Sequence, residues 1–224
     1  MRTAIIIVIT FLSIIQSIAQ TSQNKNTHSL KLLPVYKGEP SEPDSTYEKK
    51  YHIEKLRFYL SDLIILNEQD SIVYTHQAKN ILIDIAKPES LLILFQDSLL
   101  VSKKYKMQFG IGVDSTTHAR GAMEGDLDPV NDMYWTWQSG YINIKLEGNI
   151  THNANKEQFE YHIGGYTGNR NAYRKIRLPY NGNLFIHLDQ LLSQMLGKQQ
   201  HIMSPGKDAT DFADIFARCM SHTF

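Results

Sequence analysis

Apolar and polar residues alternate with a period of two along most of this chain, which is the pattern of strands that bury one face. The alternation yields to helical spacing only near the C-terminus. Ser29–Tyr36 reads as a first strand, followed by a loop over Lys37–Thr46 with two prolines and a glycine. Tyr51–Leu66 is a long strand in which Leu56, Phe58 and Leu60 share one parity; the phase blurs after Ser61-Asp62, which predicts a bulge there. Asn67–Asp70 is a turn, and Ser71–Thr75 is a hairpin partner for the long strand. Short apolar runs follow at Ile81–Ile85 and Leu91–Phe95, then strands at Tyr105–Val113, Gln158–Ile163, Tyr173–Leu178 and Leu184–Leu188. A short helix is expected over Asp189–Leu196, stopped by Gly197, and a last helix from an Asp208 N-cap to about Ser221. On that helix Phe212, Ile215, Phe216, Cys219 and Met220 fall on one stripe. The fold class is therefore mainly β, with long loops and a C-terminal helix.

The block Met133–Gly148, MYWTWQSGYINIKLEG, departs from simple alternation. It holds both tryptophans, Trp135 and Trp137, which point the same way on a strand because they are two apart. Met133 shares their parity, whereas Ile142, Ile144 and Leu146 have the other, so a phase shift is expected at Ser139-Gly140. Two indoles on one face make either a core layer or a site. One hairpin later, Phe159, Tyr161 and Ile163 form an apolar face and leave Glu160 and His162 on the other. His162 is thus not a core histidine on an apolar face; it is a ligand candidate or a solvated side chain. Ahead of the block, Asp114–Asp132 is a long acidic loop dotted with glycine, and such loops are often functional. Asp126, Asp128, Asn131 and Asp132 are hard oxygen donors, but their spacing is not that of an EF-hand, and turn capping is the commoner use of these residues.

Composition narrows the classes. Lysines plus arginines equal aspartates plus glutamates, 23 of each, and no basic cluster exceeds two residues, so a nucleic-acid footprint is absent. The N-terminus opens on Met1-Arg2-Thr3, runs through apolar Ala4–Ile15 and places Ser17 and Ala19 at the −3 and −1 positions of a cleavage site. That is the layout of a signal peptide over residues 1–19, too short for a membrane span. The expected mature chain, 20–224, is exported to the periplasm or beyond and has the size of a single domain without a further membrane span. Cys219 is the only cysteine, so no intramolecular disulfide forms, and its place on the apolar stripe makes it a small hydrophobe. An enzyme is not expected: there is no GxSxG, HExxH or phosphate-cradling glycine loop, and nothing pairs two carboxylates.

The chain resembles the MbnP-like copper-binding proteins, exported partners of methanobactin and copper-starvation systems. The resemblance rests on LRFYLSDLIIL (Leu56–Leu66), LIDIAKPES (Leu82–Ser90), FGIGVD (Phe109–Asp114), the stretch Gly121–Gly148 and FEYHIGG (Phe159–Gly165), with WxW-x-x-GY and HxGG its most specific pieces. It implies an antiparallel β-sandwich holding one copper ion, as Cu(I). It also implies a tryptophan that a partner protein oxidises to kynurenine, which exposes an arylamine where an intact indole offers only an N–H donor. By matching position the metal candidates are His162, Trp135 and Trp137, with His162 as ligand and Trp135 as the modified position. The chain departs from relatives that place a histidine two residues after the tryptophan, since Trp137 stands there. His118, and His201 with Met203, are expected at the surface, although the fold could draw them in and thioether suits Cu(I). The alternative is a non-catalytic β-sandwich module that uses the aromatic patch to bind a protein or glycan and holds no metal.

Overall fold

The computed structural model describes residues 28–223, apart from 43, 49, 96–103, 136–139, 153–154 and 196–199. The expected signal peptide and Trp137 lie outside the described residues.

Two sheets share one core. The smaller is built on β1 (Ser29–Tyr36), which pairs in parallel with β13 (Asn183–His187) and antiparallel with β2 (Glu39–Pro40) and β7 (Leu92–Leu94). The larger is organised by β4 (Tyr51–Leu66). One edge of β4 pairs first with β10 (Gly140–His152) and then with β8 (Tyr105–Ile111); the other takes β3 (Thr46–Tyr47), β6 (Asn80–Asp84) and β5 (Ile72–Thr75) in turn. The register with β8 slips between Ser61 and Ile64, with Asp62 at φ 49°, which is the bulge anticipated at Ser61-Asp62. β12 (Arg174–Tyr180) extends the sheet beyond β8, while β11 (Asn155–Gly164) and then β14 (His201–Ile202) extend it beyond β10.

The inner face of this sheet carries Leu56, Phe58, Leu60, Leu146, Phe159, Tyr161 and Ile163, all buried against the small sheet and two helices, α2 (Leu188–Met195) and α3 (Lys207–Arg218). Phe216 of α3 meets Phe58 edge-on at 5.2 Å, and Phe212 lies 5.1 Å from Tyr161. The stripe is as its spacing predicted, and burial raises the Cys219 thiol to about 11, which keeps it protonated and inert. The helix ends differ from expectation. Gly206, not Asp208, is the N-cap; Asp208 sits in the first turn, where its charge favours the helix dipole. The helix stops at Arg218, because Met220 and Ser221 form β15 and pair with β13. Backbone pairing with the sheet outweighs one more helical turn.

On the outer face a second cluster forms from Tyr59, Val113, Leu127, Met133, Trp135, Tyr141 and Ile142. The acidic loop covers it, folded as α1 (Ser115–His118) and two 3-10 turns. Its carboxylates act as caps and anchors. Asp114 accepts from the amides of Thr116 and Thr117, Asp128 from Val130, and Asp126 from Leu82 across on β6.

Candidate functional site

Trp135 enters on β9 (Tyr134–Trp135), a two-residue strand that returns through β10 with Trp135 opposite Gly140. Ser139, where the phase shift is expected, lies outside the described residues; Met133 and Trp135 share the outer cluster with Ile142, of the other parity, and a further irregularity follows. β10 slips against β11 between Ile142 and Ile144, so Ile142 stays with Trp135 in the outer cluster and only from Ile144 do the apolar residues turn inward. The hairpin with β9 fixes the start of β10, and the bulge lets it join the main ladder.

The six-membered ring of Trp135 lies on Gly164. A Cβ there would come within 2.6 Å of Trp135 Cζ3 and 2.7 Å of the Tyr141 carbonyl oxygen, so the indole requires glycine at this position. Gly165, next in the chain, has φ +112° and admits Pro205 and the Arg170 carbonyl where a side chain would stand. These contacts give a physical reason for the two glycines of HIGG. His162 precedes Gly164 by two residues on the same face, about 7 Å along the strand. The fold therefore brings the Trp135 and His162 regions together. Trp137 lies outside the described residues.

His162 is not solvated. Its side chain keeps only 11% of its exposure, and Nε2 donates to Glu147 Oε1 at 2.7 Å. The bond from His162, joined by Lys55 and Lys145 and opposed by burial, pulls the Glu147 carboxyl down to about 2. Lys145 is 3% exposed and reaches two partners, with Nζ 2.6 Å from Asp132 Oδ2 and 3.7 Å from Glu147 Oε1. Lys55 bridges the same pair of carboxylates at 3.2 and 3.0 Å. Burial opposes ionisation of Asp132, but Lys145 and Lys55 prevail and lower its pKa. Asp132 itself sits at φ 60°, three residues ahead of Trp135, so the charge network ties the loop that delivers Trp135 to the carboxylate that holds His162.

His118 is the residue that sequence reasoning placed wrongly. It is 1% exposed, stacked on Tyr166 at 4.5 Å and edge-on to Tyr141. Nδ1 accepts the Tyr141 amide at 3.1 Å, so Nε2 carries the proton toward Asn143 Oδ1 at 3.3 Å. Burial, opposed by the bond to Asn143, lowers its pKa to about 4. With both nitrogens engaged, His118 pins the loop and has no lone pair to offer. No signal in the local sequence marked it, because its burial comes from strands far along the chain. His201 stays exposed as expected, 3.5 Å from Glu160, and Met203 is 40% exposed. No group of three or more His, Cys, Asp or Glu side chains is arranged to hold a metal among the described residues.

Fold and site together define a mainly β protein, a sandwich with an aromatic–imidazole patch on the outer face of its larger sheet. The family model for MbnP matches residues 25–211, and the chain belongs to the MbnP family. Among solved structures, MbnP from Methylosinus trichosporium is similar with a TM-score of 0.53 and 10% identity, over 75% of this chain and 78% of that one; at this identity the likeness is one of fold. No curated protein matches.

Proposed function

We propose that this chain is an exported copper-binding protein that holds one Cu(I) in copper acquisition or homeostasis and catalyses no reaction. The observation that carries the reading is the placement of Trp135 on Gly164, beside a His162 whose ring is fixed from behind by Glu147. A metal-binding histidine characteristically gives its second N–H to a carboxylate, which sets the tautomer and aims the other nitrogen at the metal. Here Nε2 is spent on Glu147, so Nδ1 is the ligating atom. The donor chemistry fits copper, for which imidazole is a good ligand. Conversion of Trp135 by a tryptophan-oxidising partner protein would add an arylamine nitrogen on the same face. Trp137 remains in the proposed site on its sequence position alone. Export rests on the signal-peptide layout of residues 1–19; no described helix is long and apolar enough to cross a membrane.

The test is a competitive Cu(I) titration of residues 20–224 beside His162→Ala, with intact mass to detect oxidised tryptophan. Binding of one equivalent that the substitution weakens is the expected outcome. Absence of binding, with both tryptophans unmodified, would overturn the reading and favour a metal-free module that uses the aromatic patch for a macromolecular partner.

A further inference from the structure

Met203 stands out once the sheet register is followed past the end of β14. That strand runs parallel to β11 with His201 opposite Glu160 and Ile202 opposite Tyr161. The strand ends at Ile202, and its register carried one residue further would set Met203 level with His162. The chain then bends but stays beside β11, since Pro205 packs against Gly165, three residues beyond His162. Burial alternates accordingly: His201 reaches Glu160 and is exposed, Ile202 is buried in the core with Tyr161, and Met203 is exposed again. Neighbouring strands are about 4.8 Å apart, well within the reach of a methionine side chain with its three rotatable bonds.

The ordinary use of methionine is to fill gaps in a core. Met107, Met133, Met195 and Met220 are all buried and do so. Met203 does not: it is 40% exposed, a flexible thioether just past the strand that pairs with β11, on which His162 has one ring nitrogen held by a carboxylate; Met123, 37% exposed, belongs instead to the acidic loop.

We propose that Met203 is a metal ligand, its Sδ joining His162 Nδ1 to form a mixed nitrogen–sulfur site selective for Cu(I). The inference rests on the copper reading above and adds a specificity: soft thioether favours the monovalent ion, whereas imidazole alone accepts Cu(II) as well.

Met203→Leu keeps volume and apolar character, so it separates ligation from packing. Cu(I) and Cu(II) affinities would be measured for the 20–224 chain and for this variant. Methionine-methyl NMR of the unsubstituted chain would be recorded as Ag(I), a diamagnetic stand-in for Cu(I), is added. The expected result is a loss of about tenfold or more in Cu(I) affinity, at least what removal of an outer-shell partner costs. Cu(II) affinity should change far less, and the Met203 methyl signal should shift on the first equivalent of Ag(I). Cu(I) binding that Met203→Leu leaves intact, with an unmoved methyl signal, would overturn the ligand assignment while the copper reading stands. An unsubstituted chain that binds no Cu(I) would overturn both.

Discussion

The two faces of the strand pair β4–β10 follow different physics although they share a backbone. On the inner face Leu56, Phe58 and Leu146 meet the helix α3 and the small sheet in a continuous apolar core. On the outer face their immediate neighbours are Lys55, Arg57, Lys145 and Glu147, and Tyr59 begins a separate cluster under the acidic loop. The inner face is held by area removed from water, which is non-directional and tolerant of exact geometry. The outer face is held by directed contacts: ion pairs, caps, and a histidine with both nitrogens engaged. A site that must place a few atoms accurately is better built on the second kind of surface, supported by the rigidity of the first.

Phe58 and Tyr59 are adjacent residues on opposite faces and give the most direct way to break the comparison. Phe58→Ala empties the packing site of Phe216 and should cost about 3–5 kcal/mol in urea unfolding, with little change in the outer face once folded. A smaller loss than that of an outer-face substitution would mean the core is not where stability resides.

Acid should act on the outer face first. His118 has its pKa lowered from 6.5 to about 4, so the unfolded chain binds more protons between those values. Its contribution is complete above pH 6.5, declines as pH falls below that, and is gone below about pH 4, a span of roughly 3 kcal/mol at most. His118→Gln should be less stable at neutral pH and lose most of the slope between pH 6.5 and 4. An unchanged slope in the variant would assign the acid sensitivity elsewhere.

Gly164→Ala would force a methyl group against both the Trp135 ring and the Tyr141 carbonyl, at an expected cost of about 1–3 kcal/mol. Its sharper readout is tryptophan fluorescence, which should shift as the indole is lifted, and Cu(I) affinity, which should fall with it. Fluorescence identical to that of the unsubstituted chain would contradict the close contact.

The mildest change is Tyr59→Phe, which removes only the bond from the hydroxyl to the Asp126 carbonyl, 3.0 Å long. About 1 kcal/mol is expected, expressed as faster amide exchange in the acidic loop and not in the inner strands. Uniform destabilisation of both regions would show that the faces do not melt separately.

The sequence by itself determined the longer strands, though not the two-residue strands β2, β3, β14 and β15, and with them the bulge at Ser61-Asp62, the buried stripe of α3 and the division of β11 into an apolar face and a face with His162. Each of these is local: period, parity and turn chemistry are properties of neighbouring residues. Tertiary structure decided the rest. His118 is buried because Tyr141 and Tyr166 close over it, and His162 is oriented by Glu147, which Lys55 and Lys145 hold from the strand beside it and from its own. The end of α3 was likewise decided by pairing with β13, and the place of the bulge in β10 by the Trp135 hairpin. The physical reason is range. Backbone alternation is written within a few residues, whereas a charge or an imidazole takes its state from groups that only strand pairing brings within a few ångströms.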